Sequence, residues 1–530
     1  MSFHARALLL ASTAIISLSA TGLALSQSPE PRNFVLIIPE ALPANGIDQT
    51  NAPSLAAMRL EGVTFVNSHS EFPRLAAEFD FTAESDLKAR ALVAAAAQRY
   101  SAAFVQDTRS PDARERSAAL QQALAVTLPK FKADKKPFFL AYRIAEPRYV
   151  PPSGSEVRPA YKPAPGAADT TLQAIEEELK TLGLFENTNI IVAAEHAYSR
   201  ILKVSHTSRA RVLLPREETL GTLPPGFLAI DVAAALHSDD EVINLFDPDN
   251  ANAFVDWSSG GHPTQGNAIV VAGYDPLKPL LTIQAHGSYG AIFLADTLPK
   301  RQRRYIAHTI IEAMLEQDYL GGVFVNESRV GKFPGALSLT HIIAGRPPER
   351  RPDLVIAFAS VSTGCPVAVA CTSVIADTPL PEGEGIVNAF NRAGTWTFMA
   401  ARGPDFQAGQ KNSSPVSNAD IARTLEELMD LDIDPTDRPG ARVVRESLVG
   451  SRQRAAPRAL HVVRPSKASI EGLTTQVWLQ TLGSSKYFDT AIPAYVEIPA
   501  VVYAPKRKWR WPQWKRITIT LSDDDDDAFD

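Results

Sequence analysis

The sequence predicts an α/β fold: a doubly wound, mostly parallel central sheet flanked by helices, with a segment inserted in the middle. Three observations carry this expectation. Short apolar runs alternate with longer helical patterns through the first two hundred residues. The runs are apolar almost throughout, so they read as strands buried on both faces. The chain has 530 residues, 45% of them hydrophobic and 21% charged, which is enough for two to four lobes or one large α/β body.

Taken in order, a strand is expected at 32–38 (RNFVLII), a helix at 53–61 and a strand at 63–67. A helix at 85–100, a strand at 102–105 and a helix at 114–130 follow. The strand 137–142, the helix 170–182 and the strand 189–194 complete the alternating series. Between about 205 and 350, several short apolar runs surround NLFDPDNANAFVDWSSGGHPTQGNA, which reads as the insertion. LVIAFA at 354–359 resembles another strand, and 421–431 an amphipathic helix capped by Asn418 or Asp420.

The ends carry other signals. Arg6, the apolar stretch Ala7 to Leu25 and the small-residue site Ala24-Leu25-Ser26 read as a signal peptide over 1–26. The mature body of 27–500 is then periplasmic or secreted; an uncleaved membrane anchor is the rival reading. Cys365 and Cys371, in TGCPVAVACTS, suit a small local disulfide in an exported protein. The net charge of -6 gives no general reason to expect nucleic-acid binding. In the tail, 501–530, KRKWRWPQWKR at 506–516 is followed by DDDDD at 523–527. It reads either as a solvated tail of opposing charges or as a patch for anionic lipid or envelope polymer.

Ligands of doubly wound sheets collect at the carboxyl ends of the strands. Glu40 and the pair Glu195-His196 fall at such ends. His262 and His286 lie in glycine-rich loops with no partner spacing, and read as solvated or hydrogen-bonded residues. His69 and Ser70 follow a strand, but no acid is placed by sequence to complete a triad. GEGIVNAFNRAG lacks the pattern of a phosphate loop.

The blocks NFVLIIPEALPANGI, LKTLGLFENTNIIVAAEHAYS, PPGFLAID, NRAGTWTFMAARGPDF and SPVSNADIARTLEELMDLD stand in this order along the chain. Together they resemble the alkaline-phosphatase superfamily, in particular its exported bacterial and type I phosphodiesterase/nucleotide-pyrophosphatase branches. The resemblance runs from about Asn33 to Thr490. It implies two zinc ions about 4 Å apart, held by Asp and His, and a Thr or Ser nucleophile.

On that pattern Glu40 stands at the first metal Asp and Ala76 at the nucleophile. Arg148 and Pro152 stand at an Asp and a His, Glu195-His196 at an Asp-His pair, and Val387 at the last His. Only His196 is unchanged. Without a hydroxyl at Ala76 there is no covalent phospho-enzyme route. The resemblance therefore implies a pseudoenzyme acting as an exported binding or structural protein, with no cofactor or at most one zinc. Arg148 would set a fixed cation where a metal sat, and with Arg74 it suggests an anionic ligand in the old cleft. The alternative is a one-metal phosphoric-ester hydrolase using Glu40, Glu195 and His196. Against it, glutamate's extra methylene displaces the ligand oxygens beyond the ~0.2 Å tolerance of a good site.

Overall fold

The computed structural model describes residues 32–70, 84–107, 113–144, 166–214, 217–239, 241–342, 351–362, 372–433, 440–453 and 455–495. The expected signal peptide, Arg74, Ala76, Arg148, Pro152, both cysteines and the tail lie outside these residues.

The first half follows the alternating order expected: β1 (Asn33–Pro39), α1 (Pro53–Glu61), β2 (Val63–Phe65), β3 (Ser68–His69), α2 (Glu84–Ala96) and β4 (Ser101–Gln106). Then come α3 (Ala113–Asp134), β5 (Phe138–Ile144), α4 (Gly166–Thr181) and β6 (Thr188–Ala193). Every residue of β1, β5 and β6 is buried, as strands covered on both faces must be. α1 has no capping side chain of its own. Pro53 opens it and the Asp169 carboxylate of α4 accepts the Leu55 N–H at 2.8 Å, so one helix supplies the cap of another.

These strands form a seven-stranded sheet in the order 410–412, β2, 399–402, β6, β1, β5, β4. β6, β1, β5 and β4 are parallel. The strand Met399–Arg402 is antiparallel to both of its neighbours, which makes the sheet mixed. Leu55 and Met58 of α1, Leu124 and Leu128 of α3 and Leu172, Ile175 and Leu179 of α4 cover one face. Leu92 and Ala96 of α2, with Ile421 and Leu425 of the helix Asn418–Leu428, cover the other. That last helix corrects an expectation. Its cap is Ser417, not Asn418 or Asp420: the Ser417 hydroxyl accepts the Asp420 N–H while the Asp420 carboxylate accepts the Ser417 N–H at 2.9 Å. This reciprocal pair starts the helix three residues early.

The middle of the chain holds a second sheet. Eight strands between Ile243 and Phe358 form a mostly antiparallel sheet, whose last pair alone is parallel. Leu354–Phe358 belongs to it, so this unit extends past 350. α5 (Phe227–Leu236) and α6 (Lys300–Leu315) pack on one face through Phe227, Val232, Ile306 and Ile310. α5 is apolar except for Asp231, which accepts the Tyr319 hydroxyl at 2.7 Å, and its first seven residues are buried. The strands Leu473–Leu482 and Ser485–Tyr495 cover the other face, with Val477, Leu479 and Phe488 against Phe293 and Phe324.

Candidate functional site

Because β4, β5, β1 and β6 lie side by side and run together, the residues at their carboxyl ends are neighbours. The Glu40 N–H donates to the Ile144 carbonyl at 2.9 Å, and the Glu195 N–H to the Pro39 carbonyl at 2.9 Å. The His196 N–H donates to the Glu40 carbonyl at 3.1 Å, and the Leu42 N–H back to His196 at 2.9 Å. Glu40, Glu195 and His196 thus meet through their backbones at the carboxyl ends of two central strands. Val387 follows Ile386, which pairs with Ser199, three residues past His196 in the chain, in a separate four-stranded sheet.

The side chains put a fixed cation at this end of the sheet. The Arg143 guanidinium, in the penultimate position of β5, lies 3.2 Å from the Glu195 carboxylate, and each side chain is only 6% exposed. Arginine stays protonated, so Glu195 is held next to a permanent cation. Among the described residues, no three His, Cys, Asp or Glu side chains gather as a metal-ligand set. Glu40 is half-buried and His196 is 8% exposed, and with Glu195 they do not enclose a common point.

Two residues here were missed in the sequence. Arg143 is the lone charge inside FFLAYRI, and a fixed cation was expected from Arg148 instead. The signal was present, since a charged residue in an otherwise apolar buried strand must have a partner. Asp107 is the first acid after β4, selected by the same positional rule as Glu40 and Glu195. It is buried, and its N–H donates to the Arg143 carbonyl at 2.8 Å. Burial, and then the Asp107 charge, push the neighbouring Tyr142 phenol well up.

His69 does have an acid after all. Its Nε2 lies 2.9 Å from the Asp489 carboxylate, while its Nδ1 lies 3.0 Å from the Asn67 carbonyl. Both ring nitrogens are committed, so none is left to take a proton from a serine. Gln480 donates to Asp489 at 3.0 Å, the Arg392 guanidinium lies 3.5 Å from it, and Arg392 also donates to the Asn67 side chain at 3.1 Å. Burial, with the Arg392 charge, depresses the His69 pKa to about 4, outweighing the pull of Asp489. His286 is half-buried against Tyr289 with ring centroids 4.6 Å apart, and desolvation lowers its pKa to about 4. His262 is exposed, its Nδ1 3.0 Å from the Pro263 carbonyl.

An open depression of about 500 Å³ lies between α1 and α4, lined by Glu61, Glu176, Lys180, Phe185 and Arg402. Its own charges fill it: Arg402 pairs with Glu61 at 2.7 Å and Glu176 at 3.4 Å and stacks on Phe185. Arg402 is in register with Ile190, away from the carboxyl end of β6. Among the described residues, no helix is long and apolar enough to cross a membrane. In comparisons with known proteins, no family model and no curated protein matches the chain.

Proposed function

We propose that this chain is a catalytically degenerate member of the alkaline-phosphatase and phosphodiesterase family, exported and acting as a binding or structural protein. The observation that supports this reading most is the buried Arg143–Glu195 pair. On the family pattern Glu195 is a metal-ligand position, and here its carboxylate faces a guanidinium that no pH change removes. A divalent cation beside that guanidinium would meet like charge in a poorly solvated place. The parallel run β4–β5–β1–β6, with helices on both faces, is compatible with the doubly wound sheet of that family. Arg74 and Arg148, carried over by the resemblance, favour an anionic ligand in the old cleft.

Hydrolysis of p-nitrophenyl phosphate and bis-p-nitrophenyl phosphate by the full chain, with zinc, manganese or magnesium, tests this. The expected result is no metal-dependent turnover. Turnover abolished by His196→Ala, with about one zinc retained per chain, would replace this reading with the one-metal hydrolase.

A further inference from the structure

α6 opens with KRQRRY, which puts four cations among its first five residues, and there is no acid in its first turn. Cations at that end work against the helix dipole, so the stability of the helix does not account for them. Ile306, Ala307, Ile310 and Met314 fix the buried side of α6 against the second sheet. At about 100° per residue, Lys300, Arg301, Arg304 and Tyr305 then share an arc of about 140° on the outer side. All four are exposed, Tyr305 by 68%.

The short helix Glu327–Val330 packs beside this turn. The Arg304 guanidinium donates to the Val330 carbonyl at 3.4 Å and lies over the Phe333 ring, 5.1 Å from its centroid. Lys332, whose side chain is 82% exposed, extends the basic strip from there. The nearby acids are engaged by other cations: Asp296 by Arg329 at 2.8 Å, Glu312 by His308 at 3.3 Å and Glu327 by Lys332 at 3.6 Å. Among the described residues, no carboxylate pairs with Lys300, Arg301 or Arg304.

We propose that this outer face of α6 is a docking surface for an anionic lipid bilayer. Lys300, Arg301, Arg304 and Lys332 would meet the headgroup phosphates, with Tyr305 at the headgroup level. Charge complementarity sets the sign of the partner. An exposed ring with a polar tip beside cations suits the boundary between headgroups and acyl chains. The cations stand side by side along one helix face rather than turning inward around a cleft, which suits a plane of phosphates better than one small anion. The whole chain has a net charge of -6, so the attraction is local, and salt screens it beyond about 10 Å at 0.1 M. The face belongs to the second sheet's unit, so its test is independent of the cleft at the carboxyl ends of the first sheet.

Co-sedimentation of the full chain with vesicles tests the proposal. Vesicles of phosphatidylcholine mixed with phosphatidylglycerol are expected to bind the protein at low salt, and phosphatidylcholine alone is not. Lys300→Glu, Arg301→Glu and Arg304→Glu together should lower the affinity at least about tenfold. Glutamates suit the start of a helix, so this variant keeps its fold. Glutamine at the same three positions should give a smaller loss in the same direction. Lys278→Glu, Lys411→Glu and Lys486→Glu, at three exposed lysines elsewhere, change the net charge equally and should leave the affinity nearly unchanged. Equal affinities in the parent and the α6 variant overturn the proposal. Equal losses in the two triple glutamate variants reduce the effect to net charge and overturn it too, as does parent binding to both vesicles alike or to neither. Displacement by glycerol phosphate at the same headgroup concentration gives the face to a single phosphate, and preference for a DNA duplex at equal phosphate gives it to nucleic acid; either result overturns the bilayer.

Discussion

Two buried charge clusters flank the helix Asn418–Leu428, and they handle charge in opposite ways. At the carboxyl ends of the first sheet's strands, Arg143 and Glu195 are 52 residues apart in the chain. The Arg143 charge is permanent, and Glu195 has its compensating charge 3.2 Å away. Under the C-terminal meander, His69 and Asp489 are 420 residues apart and share their oxygens and nitrogens with Asn67, Gln480 and Arg392. There the imidazole is kept neutral by burial and by Arg392. The first cluster is balanced by a charge that pH cannot remove, whereas the second depends on a group that titrates. That difference separates what each should do under mutation and under acid.

The largest effect is expected at the permanent pair. Arg143→Met removes the guanidinium and leaves Glu195 buried without that opposite charge, which costs about 3–5 kcal/mol. Urea unfolding of the parent and the variant measures it. Arg143→Met combined with Glu195→Leu should recover most of the loss, because an apolar pair of similar size leaves no stranded charge. A single-variant loss under about 1 kcal/mol would mean the pair is not buried as a unit.

The two clusters were unequally legible in the sequence, and for physical reasons. β1, β5 and β6 are apolar at nearly every position because both faces are covered, so their ends, and hence Glu40 and Glu195, could be located. Arg143 was passed over because it sits inside such a run and its partner comes from a different strand. The eight-stranded sheet was read only as scattered apolar runs. Its strands are as short as three residues, as at Ala253–Val255, and a bulge between Val270 and Val271 breaks the alternation. Asp489 could not be assigned to His69 at all, since nothing local links residues in a two-residue strand to a hairpin near the far end of the chain. The register of the last helix was misread because its cap, Ser417, stands just ahead of both candidates.

Acid should separate the clusters further. His69 has its folded pKa depressed to about 4 from 6.5. Between those values the unfolded chain binds the extra proton, so this contribution is complete above pH 6.5 and is lost as the pH falls toward 4. Its size is up to about 3 kcal/mol, since one pKa unit is about 1.4 kcal/mol. Asp489 acts in the same direction: burial pushes its pKa up, but the hydrogen bonds to His69 and Gln480 and the Arg392 charge leave it lowered. Asp377, which accepts the Gly226 and Leu228 N–H groups at the start of α5, is pushed up to about 7 by burial and acts in the opposite sense. The informative quantity is therefore a difference: urea midpoints from pH 7 to 4 should fall less steeply in His69→Gln than in the parent. Equal slopes would mean that the imidazole does not stay neutral, and the contrast with the Arg143 pair would fail.

The smallest effect tests whether the helix between the clusters couples them. Its first turn touches both: Asn418 donates to the Ala194 carbonyl beside Glu195 at 3.0 Å, and the Asp420 carboxylate accepts from the Tyr487 hydroxyl at 2.9 Å and the Arg442 N–H at 2.7 Å. Asp420 also completes the cap with Ser417. Ser417→Ala deletes one half of that reciprocal pair and should cost about 1 kcal/mol. Because the cap holds the shared first turn, hydrogen exchange should rise at both 194–197 and 487–490. Asn418→Ala should raise it only at the first. A Ser417→Ala variant that loosens one cluster and leaves the other unchanged would show that the two are held independently, with the helix as a neighbour to both rather than a link.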